Sequence, residues 1–321
     1  MSQILVTGAN GFVGRSLCRA LGGRGHEVTG LVRQASGIGA GREWVDSSVD
    51  FTGISGAWPQ GLKPQCVVHL AARVHVMRDD ALDPDAAFRA TNVEGTLRVA
   101  QAAWRNGAQR FVFVSSIKAV GEADSGHPLR ESDTPFPQDA YGRSKFEAEQ
   151  ALIRYGDETG LDVVIVRPPL VYGPQVRANF LRLLDAVWKG VPLPLAAVGA
   201  KRSLVYVDNL ADALAYCATD PRAARQCFHV ADGDDQTVAQ LARAIGGHLH
   251  RPARLVPLPV SWLRVAGRLT GRTPQVERMI GSLRIDTTRI RAVLDWRPPH
   301  STDEGLAATA GWYRATHGDQ S

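Results

Sequence analysis

The chain has 321 residues, of which 44% are hydrophobic, and a formal net charge of +5. This length and apolar fraction are enough for a large buried core and exclude a disordered or fibrous protein. No stretch reaches the roughly 20 consecutive apolar residues of a membrane span, and the N-terminus enters a strand without a basic leader, so we expect a cytoplasmic protein with no membrane span.

The charged residues and cysteines exclude two further classes of site. The basic residues are dispersed without a compact lysine and arginine run, which argues against nucleic acid as a partner. A modest positive excess suits a substrate that carries a pyrophosphate. The four cysteines show no Cys-x-x-Cys spacing, which is typical of reduced thiols, and we predict no metal site.

Apolar runs rich in strand-forming residues alternate with helix-compatible segments in the first half of the chain. This alternation indicates an α/β fold with βαβ units, and we predict a Rossmann-type doubly wound parallel sheet with helices on both faces. The predicted strands are 4–7, 27–32, 66–70, 111–115 and 163–167, and the predicted helices are 11–21, 85–105 and 141–159.

The alternation stops at Pro168, where paired prolines and a Tyr-Gly-Pro turn follow. We therefore predict an NAD(P)-binding domain over 1–168 and a smaller mixed α/β substrate-binding domain over 169–321. Segments near 204–231 are expected to return to the first domain, because a helix pattern begins at Val207 and a strand pattern at Cys227.

The first predicted strand runs into Gly8, Gly11 and Gly14, which are spaced by three residues. Glycines at this spacing let backbone amides approach a pyrophosphate at the N-terminus of the next helix. The pattern therefore predicts a dinucleotide site.

The residue type after the second strand bears on which dinucleotide binds. Val32 stands where an NAD enzyme usually carries an acid for the ribose hydroxyls, and Arg33 follows. Because an arginine can pair with a ribose 2′-phosphate, NADP(H) is favoured and NAD(H) is possible. Asp50 and Phe51, after the third strand, are expected to flank the adenine.

Tyr141 and Lys145 are four residues apart, so they share one face of a predicted helix. A phenol with a pKa of about 10 is a poor base at neutral pH, and we expect the Lys145 ammonium to lower the pKa of Tyr141. Ser115 and Ser116 lie at the end of the preceding strand, and either hydroxyl could assist.

These motifs resemble the extended short-chain dehydrogenase/reductase superfamily, in its NAD(P)-dependent nucleotide-sugar epimerase, dehydratase and reductase branch. The resemblance covers almost the whole chain. It is carried by Ser115 with Ser116, Tyr141 with Lys145, and the segments 7–14, 69–72, 92–96, 167–174 and 202–210.

The resemblance implies a role for each of these groups. It makes Ser116, Tyr141 and Lys145 catalytic, with Ser115 as the rival of Ser116: the tyrosine exchanges a proton with the sugar, the lysine also bonds the nicotinamide ribose, and the serine holds the reacting oxygen. With the glycines, Arg33, Asp50 and Phe51, the expected cofactor site includes Asn10, Phe12, Val13, Leu70, Ala71, Ala72, Tyr141, Lys145 and Pro168.

The expected substrate contacts are Ser116, Lys118, Asn179 and Arg202. By the resemblance, Asn179 lies near the nucleotide diphosphate and Arg202 binds its phosphates. A guanidinium can fork onto phosphate oxygens, but other cations compete for this role, namely Arg177, Lys201, Arg268 and Arg272.

The position after Ser116 narrows the reaction, because Ile117 and Lys118 stand where the similar 4,6-dehydratases carry an Asp-Glu pair. This leaves hydride transfer at C4 of a UDP-sugar. The chain looks most similar to bacterial UDP-4-keto-6-deoxy-N-acetylhexosamine reductases of lipopolysaccharide O-antigen synthesis, so we predict an NADPH-dependent 4-ketoreductase. A UDP-hexose or UDP-N-acetylhexosamine 4-epimerase is the alternative, and a non-catalytic NADP-sensing module is a distant one. Relatives commonly dimerise, so a homodimer is expected.

Overall fold

The computed structural model describes residues 2–37, 41–74, 83–271 and 273–317. The strands are β1 (Gln3–Thr7), β2 (Glu27–Val32), β3 (Arg42–Val45), β4 (Cys66–His69), β5 (Arg110–Val114), β6 (Asp162–Arg167), β7 (Leu170–Tyr172), β8 (Lys201–Arg202), β9 (Leu204–Tyr206), β10 (Cys227–His229) and β11 (Gln236–Thr237).

The α-helices are α1 (Phe12–Gly23), α2 (Pro84–Arg89), α3 (Thr96–Arg105), α4 (Ala140–Thr159), α5 (Ala178–Trp188), α6 (Val207–Thr219), α7 (Val238–Leu249), α8 (Val260–Leu269), α9 (Thr273–Ile280), α10 (Thr288–Leu294) and α11 (Thr302–His317). A π-helical stretch, Ala90–Gly95, joins α2 to α3 without a break. None of the described helices has the length and hydropathy needed to cross a bilayer.

Seven strands form one parallel sheet in the order β10-β6-β5-β4-β1-β2-β3. The order reverses at β1, where successive connections turn to opposite sides, as in a doubly wound sheet. The Rossmann-type α/β prediction is therefore confirmed, and the five predicted strands are present to within one residue at each end. β3 and β10 extend the sheet at its two edges.

Helices cover both faces of this sheet because successive strand residues point to opposite sides. Ile4 and Val6 face a cluster formed with α1, α6 and α10. Leu5, between them in sequence, faces a second cluster formed with α3 and α4. Trp104 on α3 and Ile153 on α4 lie on the outer side of this layer and are 42% and 41% exposed.

The later part of the chain contributes to two regions. α6 packs in the same cluster as α1, and β10 pairs with β6, so both belong to the main sheet unit. α5, α7 and α11 form a separate cluster with the paired strands β7 and β9. β8 and β11 form a short antiparallel pair. Each directly precedes an element of this cluster in the sequence, β9 and α7 respectively.

A buried ion pair fixes α4 to the end of β6. The Arg167 guanidinium donates to both carboxylate oxygens of Glu149, at 3.0 Å from Nε and 2.5 Å from Nη2. The side chains are only 7% and 0% exposed. Because Glu149 lies one helical turn after Lys145, the pair sets how the Tyr141–Lys145 end of α4 meets the sheet.

We expect Glu149→Ala to lower the free energy of unfolding by about 3–5 kcal/mol, because it leaves the buried Arg167 charge without its partner. Glu147→Ala is the matched control on the same helix, where Glu147 pairs with Arg89 at the surface. It should cost at most about 1 kcal/mol. Urea unfolding of both variants measures the difference, and equal losses would contradict the importance assigned to the buried pair.

Candidate active site

A cleft of about 390 Å³ opens at the carboxyl edge of the sheet, above the turn that follows β1. Eight of the predicted cofactor residues line it: Gly8, Asn10, Gly11, Arg33, Phe51, Leu70, Ala71 and Ala72. The structure thus brings together the glycine turn with the ends of β2 and β4, which lie far apart in sequence.

The glycine turn fits a dinucleotide because side chains are excluded from it. Gly8 has a φ of 67°, and a Cβ atom there would lie 3.1 Å from the Ala71 amide nitrogen. A Cβ atom at Gly14 would lie 2.2 Å from the Gly8 carbonyl oxygen. The N–H groups in the first turn of α1 have no partner within the helix and carry its positive dipole end. A pyrophosphate can therefore approach backbone donors here.

Four predicted residues contribute through position rather than through a side chain in the cleft. Phe12 and Val13 begin α1, and their side chains pack against the cluster around α5, α7 and α11. Gly14 is buried beneath the turn. Pro168 follows β6, and its carbonyl accepts a hydrogen bond of 3.0 Å from the Ile117 amide, which joins the turn after β5 to β6.

The adenosine end of the cleft contains charges of both signs. Arg33 is exposed and lines it, as predicted from its position after β2. Asp46, which the sequence analysis missed, lines it too. Asp46 follows β3, and its amide donates to the Val32 carbonyl at 3.0 Å, so the acid lies beside the end of β2. An acid beside the ribose site opposes a 2′-phosphate, whereas an arginine favours it.

Asp50 is expected from sequence to flank the adenine, but its side chain pairs with residues outside the cleft. Its carboxylate accepts from Arg98 at 3.1 Å and from the Thr52 hydroxyl at 3.0 Å, and it is not among the residues that line the cleft. Its neighbour Phe51 does line the cleft. Asp50 therefore ties the segment after β3 to α3.

A buried hydrogen-bond chain runs behind the cleft through His69. Thr7 Oγ1 accepts from the Leu70 and Ala71 amides, so its proton goes to His69 Nδ1 at 2.9 Å. The remaining proton on Nε2 then points to Thr96 Oγ1 at 3.1 Å. Burial, with the charge of Lys145, lowers the pKa of His69 to about 3, so the ring is neutral and links β1, β4 and α3.

Asn92, in the π-helical stretch, joins the cleft wall to the helix that carries Tyr141. Its side chain accepts from the Arg73 amide at 2.7 Å and donates to the Arg73 carbonyl at 3.0 Å. The same amide donates to Ser144 Oγ at 2.9 Å, and Ser144 donates to the Tyr141 carbonyl at 2.8 Å. Asn92 thus braces the start of α4 against the cleft.

Ser116, Tyr141 and Lys145 meet at the carboxyl end of β5. The Ser116 hydroxyl lies beside the Tyr141 phenol and acts to lower its pKa, and it accepts from the Lys118 amide at 3.2 Å. Lys145 Nζ donates to the Val114 carbonyl at 2.8 Å and lies 6.0 Å from the centroid of the Tyr141 ring. Ser115 is 3% exposed, and its hydroxyl has no hydrogen-bond partner among the described residues. The geometry therefore favours Ser116 over Ser115 as the serine that assists Tyr141.

The expected lowering of the Tyr141 pKa by Lys145 is not seen. Burial is the largest influence and raises the pKa of Tyr141 to about 12, although the neighbouring Ser116 hydroxyl acts against it. Burial also lowers the pKa of Lys145 to about 7, while Glu149 acts in the opposite direction. Removal from water penalises both charges, so the tyrosine keeps its proton and the lysine titrates near neutral pH.

Lys118 lies between two carboxylates. Its Nζ is 2.6 Å from Asp139 and 3.0 Å from Glu122. Asp139 also caps α4, because its carboxylate accepts from the Gly142 amide at 2.7 Å. A Cβ atom at Gly142 would lie 2.4 Å from the Lys118 carbonyl oxygen, so this glycine lets α4 begin directly against the turn that contains Ser116.

Arg202 and Arg278 both lie near the Glu122 carboxylate. Arg278 Nε lies 2.5 Å from the second Glu122 oxygen. Burial lowers the pKa of Arg202, the nearby charge of Glu122 acts against this, and the guanidinium donates to the Gly281 carbonyl at 3.1 Å. We call Lys118, Glu122, Asp139, Arg202 and Arg278 the charged cluster. Glu122 and Arg278 were not predicted, because nothing in their spacing marks them.

The other predicted substrate residues lie elsewhere. Asn179 is exposed in the first turn of α5, and no contact among the described residues joins it to the charged cluster. Arg177, Lys201 and Arg268 are exposed. Arg272 lies outside the described residues. No group of three or more potential ligands among the described histidines, cysteines and acids is arranged to hold a metal ion.

Comparison with known proteins agrees with this geometry. The family described as NAD dependent epimerase/dehydratase matches residues 4–231. The UDP-glucose 4-epimerase of Vibrio cholerae is 38% identical, over 96% of this chain and 94% of that protein. The UDP-glucose 4-epimerase of Mycolicibacterium smegmatis is 30% identical, over 97% of this chain and 98% of that protein.

The fold also matches solved structures over nearly its whole length. The UDP-glucose 4-epimerase of Thermotoga maritima, solved with UDP-glucose, has a TM-score of 0.78 and 24% identity, and the match covers 98% of this chain and 99% of that one. Structures of this fold have been solved with NAD and with NADPH.

The Lys145 pKa predicts a pH dependence of stability. Because the pKa is about 7 in the folded chain and 10.5 is the ordinary value, the unfolded chain binds more protons between these limits, and a rise in pH disfavours unfolding. We expect the free energy of unfolding of the wild type, minus that of Lys145→Met, to increase from pH 7 to pH 9. Denaturant unfolding across this range measures it, and a constant difference would contradict the low pKa.

Proposed function

The chain belongs to the NAD-dependent epimerase/dehydratase family and is an enzyme of nucleotide-sugar chemistry, and we propose that it is a 4-epimerase of UDP-hexoses or UDP-N-acetylhexosamines. The observation that carries this proposal is the meeting of Ser116, Tyr141 and Lys145 at the end of β5. The 38% identity to a UDP-glucose 4-epimerase over nearly the whole chain supports the same activity.

Tyr141, Ser116 and Lys145 have separate roles in the proposed epimerisation. A bound nicotinamide dinucleotide supplies the capacity to accept and return hydride at C4. Tyr141 must first pass its own proton to the neutral form of Lys145. As a phenolate it then takes the proton from the sugar O4 as the alcohol becomes a ketone, and it returns that proton afterwards, while Ser116 holds the oxygen by a hydrogen bond. Lys145 is the cation that can stabilise the phenolate form of Tyr141, and its near-neutral pKa lets it gain charge as the tyrosine loses its proton.

The charged cluster supports this proposal over water elimination. In the similar dehydratases an Asp-Glu pair follows the serine, and here Ile117 and Lys118 occupy those two places. Glu122 and Asp139 are near, but both pair with Lys118, and this pairing helps keep the pKa of Asp139 below its usual range despite its burial. A carboxylate that a lysine holds ionised is a poor general acid, so Asp139 is poorly suited to eliminate water.

To test the epimerase, we would incubate the purified protein with UDP-glucose, and separately with UDP-N-acetylglucosamine, without added cofactor, and follow the 4-epimers by NMR. Conversion of either sugar is expected. Tyr141→Phe should lower kcat by about 10²–10⁴-fold, the usual contribution of a positioned proton donor. Ser116→Ala should lower kcat by a similar order, whereas its neighbour Ser115→Ala should retain turnover.

Three results would contradict this assignment. Failure of both sugars to react, with cofactor added as well as without, excludes the epimerase for these substrates. Full turnover by Tyr141→Phe, or equal losses in the two serine variants, excludes the proposed roles within the site even if the protein is an epimerase.

A 4-ketoreductase of a UDP-4-keto-6-deoxy-N-acetylhexosamine is the second candidate, and two observations favour it. Arg33 lines the adenosine end of the cleft and suits NADPH. Burial keeps Tyr141 protonated, which suits a group that only donates a proton to a ketone. Stoichiometric loss of NADPH absorbance with this keto-sugar, together with no epimerisation of UDP-glucose or UDP-N-acetylglucosamine, would favour the reductase over the epimerase.

Variants of two residues that line the cleft, Arg33 and Asp46, test the cofactor preference. We expect Arg33→Ala to weaken NADPH binding by about tenfold or more, the usual value of one charge-assisted hydrogen bond, and to leave NADH binding unchanged. Asp46→Asn should instead strengthen NADPH binding, because it removes an acid from the same end of the cleft. Titration of cofactor fluorescence measures all four affinities, and equal effects of Arg33→Ala on both cofactors would contradict an NADP preference.

A further inference from the structure

The helix α8 has two apolar faces, and only one of them is buried. Leu263 is 5% exposed and lies with Val260 in a core cluster that also includes Leu195 and Val198. This is the inner face of the helix. A surface helix normally carries polar residues on the face opposite its buried stripe.

The outer face of α8 is apolar instead. Trp262, Val265 and Leu269 are 66%, 50% and 83% exposed. At 100° per residue these three positions fall within about 60° of one another and roughly opposite Val260 and Leu263. Leu269 is the most exposed of the large hydrophobic residues described. A contiguous apolar stripe of this kind indicates a contact with something outside the chain.

The formal net charge of the chain falls within the sequence segment that carries this stripe, although one of its arginines, Arg278, pairs with Glu122 in the charged cluster. Residues 251–280 contain six arginines and a single acid, Glu277, which gives a formal charge of +5. The whole chain also has a charge of +5, so the other 291 residues are balanced. Arg264 and Arg268 lie on α8 itself, along one side of the exposed stripe, and Arg264 is paired with Glu277 on α9 at 3.0 Å.

We propose that α8 docks on an anionic lipid bilayer, with Trp262, Val265 and Leu269 inserted among the lipids and the two arginines of the same helix, Arg264 and Arg268, against the headgroups. A tryptophan and aliphatic residues on one face, bordered by arginines, form the pattern of a helix that lies in the membrane interface. Anionic headgroups attract each nearby arginine and add to the apolar contact.

The charge also decides between possible occupants of this surface. A second copy of the chain would bring another +5 segment against the first, and like charges across a two-fold interface oppose association. Nucleic acid would satisfy the arginines and leave the valine and leucine side chains without apolar contacts. An anionic bilayer satisfies both the charge and the apolar stripe. This docking goes beyond the proposed function, since it uses none of the residues assigned to catalysis.

The test is co-sedimentation of the full-length protein with vesicles. We expect binding to phosphatidylcholine vesicles that contain about 30% phosphatidylglycerol, weaker binding when salt is raised, and little binding to phosphatidylcholine alone. The double variant Trp262→Ser with Leu269→Ser should lower the affinity by about tenfold or more. Phe136→Ser is the matched control, because Phe136 is 73% exposed but lies outside the basic segment.

A second pair of variants separates local from overall charge. Arg268→Glu should weaken binding by about tenfold or more, whereas Arg154→Glu, an exposed arginine on α4, changes the net charge equally and should have little effect. Thermal unfolding confirms that each variant is folded.

Three outcomes overturn the proposal. One is absence of binding to the anionic vesicles at low salt, and another is an equal loss in Arg268→Glu and Arg154→Glu. The third is a change in molecular mass by analytical ultracentrifugation for the Trp262→Ser, Leu269→Ser variant without a loss of vesicle binding, which would assign the stripe to self-association. None of these results depends on which sugar the enzyme converts.

Discussion

The site depends on the buried ion pair between Arg167 and Glu149. Arg167 ends β6, and Glu149 lies on α4 one turn after Lys145, so the bidentate contact fixes the rotation and depth of the helix against the sheet. With α4 held there, its capped N-terminus meets the turn after β5. Asn92 braces the same end of the helix from the opposite wall of the cleft. A helix free to shift by 1 Å would separate the serine from the tyrosine.

Burial at this position creates the electrostatic character of the site. The same removal from water that makes the Tyr141 phenol a weak acid makes the Lys145 ammonium a strong one. At neutral pH the two groups therefore favour a neutral tyrosine beside a partly charged lysine. Such a pair can give a proton to a ketone oxygen. It can take a proton from an alcohol only when a positive charge beside Tyr141 stabilises the phenolate form. Epimerases need both directions, whereas reductases need one.

Charge is organised locally in this protein although its arginines are spread along the sequence. In the charged cluster, Glu122 and Asp139 hold Lys118 beside Ser116, and Arg202 and Arg278 approach Glu122 from later parts of the chain. An anionic substrate group would compete with Glu122 for these cations. Apart from Arg278, which belongs to the charged cluster, the arginines of the segment 251–280 have a single acid among them in sequence, Glu277.

The sequence by itself determined the parallel sheet, the glycine turn, and the presence of Tyr141 and Lys145 on one helical face, because these follow from local periodicity and backbone sterics. Only the tertiary structure decided which side chains from distant parts of the sequence come into contact. Glu149 meets Arg167, Asp46 reaches the end of β2, Glu122 gathers distant cations, and α8 keeps an apolar face outside the core. The prediction from sequence that Lys145 lowers the pKa of Tyr141 was wrong for the same reason. Desolvation depends on the atoms packed around a group, and residue spacing does not give that packing.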